Sequence, residues 1–187
     1  MLYYIHGYMS SPDSNKGTLF NETLGVKAVK YRDCEPEDLV ISECLKRIKN
    51  EIGDDEDVVL IGSSLGGMLA SEIALENKSV KKLILLNPAL IPPQQKIEEI
   101  HDMPSRILRE MKDERLFHEK IDCDIFILVG TLDDVVPLDW PLSFAQSQQA
   151  TVMFLHDDHS FTQNLSRLPG IVTRIPVSYT HLTLPTN

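Results

Sequence analysis

The sequence predicts an α/β fold built on a mainly parallel sheet. Largely apolar runs recur along the chain, among them Leu2–Ile5, Val58–Ile61, Lys82–Leu86 and Thr151–Leu155. Helix-forming stretches separate them, and 187 residues suit one domain. A strand buried on both faces reads as a continuous apolar run, so this alternation indicates a parallel sheet covered by helices on both sides.

Taken in order, Leu2–Ile5 is the first strand and Lys27–Tyr31 (KAVKY) the second. Glu37 to Ile52 places Leu39, Ile41, Cys44, Leu45, Ile48 and Ile52 near one helical face, with acidic residues at its N-terminal end. Val58–Ile61 is the third strand and Leu65–Asn77 the helix after it. Lys82–Leu86, Asp124–Val129 and Thr151–Leu155 complete a minimal six-stranded sheet. Residues 87–122 form a small insertion after the fourth strand, with Pro88, Pro92, Pro93 and Pro104 and then a charged helical stretch, Ser105–Lys120. A small cap and an ordinary crossover helix with a long lead-in both fit it.

Composition excludes several classes. Lys and Arg number 18 against 28 Asp and Glu, a net charge of −10, which disfavours a nucleic-acid partner. No apolar run approaches the length of a membrane span, and the N-terminus lacks the pattern of a secretory signal, so no membrane partner is expected. Cys34, Cys44 and Cys123 are odd in number and widely spaced, which argues against a disulfide framework or zinc knuckle. Reduced thiols and a cytoplasmic location are expected. The last segment, Pro176–Asn187 (PVSYTHLTLPTN), has no Asp, Glu, Lys or Arg and reads as a non-native tail. Fold reasoning is therefore confined to residues 1–175, and His181 is set aside.

The chemistry-bearing residues fall at strand ends. Gly62-Ser63-Ser64-Leu65-Gly66 fits G-x-S-x-G between a strand and a helix, the context of a nucleophile elbow. Side chains at Gly62 and Gly66 would collide in so sharp a turn, and Gly67 allows close helix packing. Ser64 is the candidate nucleophile, and the Leu65 amide at the helix N-terminus is a candidate oxyanion donor. After the first strand, His6-Gly7-Tyr8 offers a second donor in the Tyr8 amide. Gly7 lets the amides turn inward, and His6 is expected to order the loop by hydrogen bonding. After the fifth strand, Asp133 is the candidate acid, preferred over Asp134 because it matches G-x-x-D-x-x-V-P. After the sixth, His159 is the candidate base, preferred over His156. The order Ser64, Asp133, His159 is that of α/β hydrolases.

The chain resembles small α/β-hydrolase-fold esterases of the YqiA/YcfP type. The matching pieces are YYIHGYMSSPDSNKG, IGSSLGGMLAS, LLNPAL, LVGTLDDVVP and HDDHSF. The resemblance implies an intracellular serine hydrolase of carboxylic esters or thioesters, with Ser64 as nucleophile, Asp133 as acid and His159 as base. It also implies a core lacking the first two strands of larger relatives. One departure is HDDHSF, where such esterases carry a glycine-rich turn. Its extra charges are expected to favour the protonated imidazole and to move the activity optimum upward in pH.

The mechanism expected is acyl transfer through an acyl-enzyme, with no metal or organic cofactor and a small ester or thioester as the partner molecule. The alternative is a non-catalytic protein of the same fold that binds a ligand or partner. Pro92, Pro93, Ile97 and Leu108 are candidate pocket walls, and Trp140 is expected to pack beside the acid loop.

Overall fold

In the computed structural model, residues 1–101 and 103–175 are described. The expectations for the tail 176–187 and for His181 lie outside the described residues.

The strands are β1 (Leu2–Ile5), β2 (Lys27–Ala28), β3 (Val58–Ser63), β4 (Val80–Leu86), β5 (Asp124–Gly130) and β6 (Thr151–Leu155). They form one sheet in the order β2-β1-β3-β4-β5-β6. Every neighbouring pair is parallel, so the sheet is wholly parallel where a mainly parallel one was expected. Ile5 lies opposite Gly62, Ser63 opposite Leu86, and Gly130 opposite Leu155. The loops after β1, β3, β4, β5 and β6 therefore leave along one rim. The strand order reverses between β1 and β3, which opens a crevice at that rim.

The helices are α1 (Asn15–Leu24), α2 (Ile41–Ile52), α3 (Leu65–Glu76), α4 (Ser105–Met111), α5 (Arg115–His118), α6 (Asp139–Gln148) and α7 (Leu168–Arg174). Alternation along the strands sorts the core into two layers. Tyr3, Ile5, Leu60, Leu83, Leu85 and Ile127 face a layer with α2, α3 and the residues after β4. Tyr4, Ile61, Ile84, Leu86 and Leu128 face a second layer closed by Phe20 of α1 and by Leu168 and Val172 of α7. Helix α3 is buried nearly all round, from Leu65 to Ala74. Its sequence is accordingly apolar on all faces rather than amphipathic. No helix among the described residues is long and apolar enough to cross a membrane.

Three elements differ from expectation. The second strand stops at Ala28: after the Val29 amide bonds the Tyr4 carbonyl at 2.9 Å, the chain turns Tyr31 under the β1 loop. The helix expected from Glu37 is a 3₁₀ turn, Pro36–Asp38, followed by α2. Side chains of α4 take up the backbone groups exposed at this break. Glu110 accepts from the Ile41 amide at 2.9 Å, and Arg106 donates to the Leu39 carbonyl at 3.0 Å. The stretch Ser105–Lys120 divides into α4 and α5, where Asp113 accepts from the Arg115 amide at 3.0 Å. Between β4 and β5 the chain forms a crossover that also supplies part of a cavity wall.

Candidate active site

The rim gathers the loops after β1, β3, β4, β5 and β6. Ser64 joins β3 directly to α3, with φ 55° and ψ −122°. A non-glycine residue there is strained, and the surroundings must hold it. They do so through hydrogen bonds: the Ser64 amide donates to Leu86 O at 3.0 Å, and Ser64 O accepts from the Gly67 and Ala89 amides at 2.8 and 3.1 Å. The glycines around it are required by space. A Cβ on Gly62 would overlap the Gly66 carbonyl, and one on Gly66 would overlap the carbonyls of Ile5 and His6. A Cβ on Gly67 would meet Pro88 at 2.7 Å. The turn thus packs directly on the end of β1. Leu65 opens α3, so its amide is among the first-turn N–H groups that have no intrahelical acceptor.

The β1 loop lies against this turn. Gly7 has no left-handed φ, and its smallness serves proximity instead: a Cβ there would sit 3.2 Å from the Ser64 Cβ and 3.8 Å from its Oγ. The Gly7–Tyr8 peptide consequently lies beside Ser64, and Tyr8 lines the same cavity. His6 is 1% exposed, contacts the Gly7 carbonyl through Nδ1 at 2.9 Å and stacks on Tyr31 with ring centroids 4.2 Å apart. Burial lowers its pKa to about 4, so it is neutral at pH 7. Tyr31 and Arg32 were not anticipated. The Tyr31 hydroxyl donates toward the carbonyls of His6 and Gly7 at 3.2 and 3.1 Å, and Arg32 donates to Ser10 O at 2.9 Å.

Asp133 and His159 meet across the rim, with Asp133 Oδ2 2.9 Å from His159 Nδ1. Asp133 Oδ1 accepts from the amides of Val135 and Val136. Asp134 is exposed, and His156 is exposed with its ring 3.4 Å from Thr131 Oγ1. Asp133 and His159 are thus paired with each other, whereas Asp134 and His156 are both exposed. The other acidic residues of the base loop build the loop itself. Asp157 is fully buried and accepts from the amides of Asp158, Gln163 and Asn164 and from the Asn164 side chain. Burial alone would raise the Asp157 carboxyl; these bonds outweigh it and hold the group below the ordinary carboxylate range. Asp158 is held low by its bonds to Thr162.

A cavity of about 410 Å³ opens over Ser64, and His159 lines it as well. Ile100, Met103, Leu108, Met111, Val136 and Trp140 are among its apolar lining residues. Lys16, Ser10 and Ser160 are among its polar lining residues, and Lys16 donates to Ser160 O at 2.8 Å. Of the suggested walls only Leu108 lines the cavity, while Ile97 joins the core. Trp140 is a wall residue as well as a packing one, because α6 begins directly behind the acid turn. Among the described residues no group of three or more His, Cys, Asp or Glu side chains is placed to hold a metal ion.

Residues 1–173 match the family described as "Uncharacterised protein family (UPF0227)". The chain belongs to this family. The assignment agrees with the resemblance carried by the sequence motifs. Among curated proteins, none matches the chain. Solved structures similar to this UPF0227 member include Est1E from Butyrivibrio proteoclasticus with ferulic acid bound, at 20% identity and TM-score 0.73, covering 91% of this chain and 85% of that one. Alpha/beta hydrolase domain-containing protein 10 from mouse matches at 22% identity and TM-score 0.71, covering 92% and 87%. A monoacylglycerol lipase from Paleococcus ferrophilus matches at 18% identity and TM-score 0.68, covering 92% of each chain. These likenesses establish the α/β-hydrolase fold.

Proposed function

We propose that the protein is a serine hydrolase that cleaves carboxylic esters or thioesters through an acyl-enzyme. The observation that carries this is the arrangement at the rim. A serine in a strained strand-to-helix turn shares a cavity with a histidine whose Nδ1 is 2.9 Å from a carboxylate. With its Nδ1–H donated to Asp133, His159 keeps Nε2 as the basic nitrogen. It takes the Ser64 proton as Oγ attacks the acyl carbonyl, then returns that proton to the leaving alcohol or thiol. Water attacks the acyl-enzyme by the same route. The amides of Leu65 and Tyr8 hold the oxyanion, and losing one such donor typically costs about 2.7–4 kcal/mol.

The apolar lining residues receive the acyl group, and the polar ones the leaving group. The volume is that of a small-ligand site, roughly 300–1,000 Å³. Proteins of similar fold include Est1E with ferulic acid bound and a monoacylglycerol lipase, which fits an apolar or aromatic acyl substrate. The test is hydrolysis of p-nitrophenyl and acyl thioester series of increasing chain length, with Ser64→Ala as control. Turnover that disappears in Ser64→Ala, together with fluorophosphonate labelling of the unsubstituted protein alone, supports the proposal. Unchanged turnover in Ser64→Ala refutes it. A folded protein with neither turnover nor labelling is instead a ligand-binding member of the fold.

A further inference from the structure

Directly after β4 the chain reads Asn87-Pro88-Ala89, and this turn touches the nucleophile turn, the acid turn and the base loop. Leu86 O accepts the Ser64 amide at 3.0 Å, and the Ala89 amide donates to Ser64 O at 3.1 Å. Between them, Asn87 is 1% exposed and held at φ 44°, a conformation asparagine tolerates better than most residues. Its backbone amide donates to Leu128 O at 2.9 Å. Its side chain reaches both of the other loops. Oδ1 accepts from the Gly130 amide at 2.7 Å, where the acid turn begins. Nδ2 donates to Asp158 O at 3.2 Å and to the carbonyl of His159 itself at 3.0 Å.

We infer that Asn87 is a positioning residue, whose carboxamide sets the acid turn and the base loop at a fixed distance from the nucleophile turn. The inference rests on the hydrolase reading of Ser64, Asp133 and His159. The chemistry of the side chain supports it. One acceptor faces one N–H, and the two amide hydrogens face two carbonyls, so the buried group is matched in both senses. Aspartate has the same shape but sets a carboxylate against two carbonyl oxygens. Burial with those neighbours raises the carboxyl pKa and restores a donor only when the group is protonated. Displacing a catalytic group by about 1 Å can cost about 100-fold in rate, so loss of this tie acts on the chemical step. Asn87 is not among the residues lining the cavity, so substrate binding is spared.

The experiment compares Asn87→Gly and Asn87→Asp with the unsubstituted protein on one p-nitrophenyl ester, with Ser64→Ala as control. Glycine accepts the positive φ, so it removes the amide without backbone strain. The expected result for Asn87→Gly is a kcat lower by roughly 10–100-fold with KM within about threefold, measured well below its melting temperature. For Asn87→Asp, the ratio of its kcat to that of the unsubstituted protein rises as pH falls, while the Asn87→Gly ratio stays flat. The ratio cancels the titration of the site common to both proteins. A lowered melting temperature with unchanged kcat in Asn87→Gly, or flat ratios in both variants, overturns the inference while leaving the hydrolase reading intact. Full turnover in Ser64→Ala overturns both.

Discussion

The two oxygens of Asp133 have separate duties. Oδ2 lies 2.9 Å from His159 Nδ1, while Oδ1 accepts the amides of Val135 and Val136 at 2.9 and 3.0 Å. The turn after β5 therefore aims the carboxylate at the ring, and its neighbour Asp134 stays exposed. On the proposed mechanism, Asp133→Asn lowers kcat by roughly 10⁴-fold, because an amide at this position favours the wrong imidazole tautomer. Asp134→Asn stays within about twofold. Steady-state hydrolysis of a p-nitrophenyl ester by both variants checks this, and equal losses would assign the role to neither residue alone.

His6 makes stability depend on acid. Its pKa is lowered by burial to about 4 against an ordinary 6.5, so between those values the unfolded chain binds the extra proton. The contribution is complete above pH 6.5, is lost as pH falls, and is exhausted below about 4. Over the 1.5 units from pH 6.5 to 5 the linkage amounts to about 2 kcal/mol. Urea unfolding at those two pH values tests it: His6→Gln should show a smaller drop than the unsubstituted protein.

Glu72 acts in the opposite direction. It lies buried in α3 with Oε1 unpartnered among the described residues, and desolvation, aided by Asp113, raises its pKa to about 7. The folded chain holds the proton that the unfolded chain releases, so stability is fullest below pH 4.5 and declines as pH rises toward 7. Glu72→Gln is expected to raise the melting temperature at pH 8, equivalent to roughly 1–3 kcal/mol, and to change little at pH 4.5. Calorimetry at both pH values decides it, and a uniform effect would contradict the assignment.

Two glycines should answer alanine with opposite signs. A Cβ on Gly66 overlaps backbone oxygens of Ile5 and His6, which have no room to withdraw, so Gly66→Ala should cost roughly 3 kcal/mol or more. Gly170 lies exposed in α7 with nothing within 4 Å of its would-be Cβ. Gly170→Ala should stabilise by roughly 0.5–1 kcal/mol, the helix preference for alanine. Chemical denaturation of the two variants measures both.

The strands and the residues at their ends were legible because both leave local marks. A doubly covered strand is a continuous apolar run, and Ser64 and Asp133 follow two of these, β3 and β5, at a short interval, while His159 follows β6, a largely apolar strand exposed at the sheet edge. Helices α1 and α7 leave weaker marks. Only Gly17 and Phe20 of α1 are buried, so no apolar stripe announces it. The end of β2 and the break before α2 depend on partners far along the chain, Tyr4 in one case and Glu110 in the other. Tyr31 and Asn87 were illegible for the same reason. Tyr31 acts on Gly7 across 24 positions, and Asn87 acts on His159 across 72. A tyrosine after a strand and an asparagine before a proline are common, and only the fold gives these two their work. Trp140 became a cavity wall through the direction in which α6 leaves the acid turn, which periodicity does not encode.

The cavity is bounded at one side by a loop that begins at His6 and at another by a loop that contains His159, and Lys16 of α1 ties the first part of the chain to Ser160. Contacts of such long sequence separation form slowly, since the chain must close large loops before they are rewarded. A chain emerging from the ribosome N-terminus first has Ser64 in hand long before the loop that faces it. The cavity therefore lacks its His159 wall until a loop late in the sequence has docked beside the turn that carries Ser64.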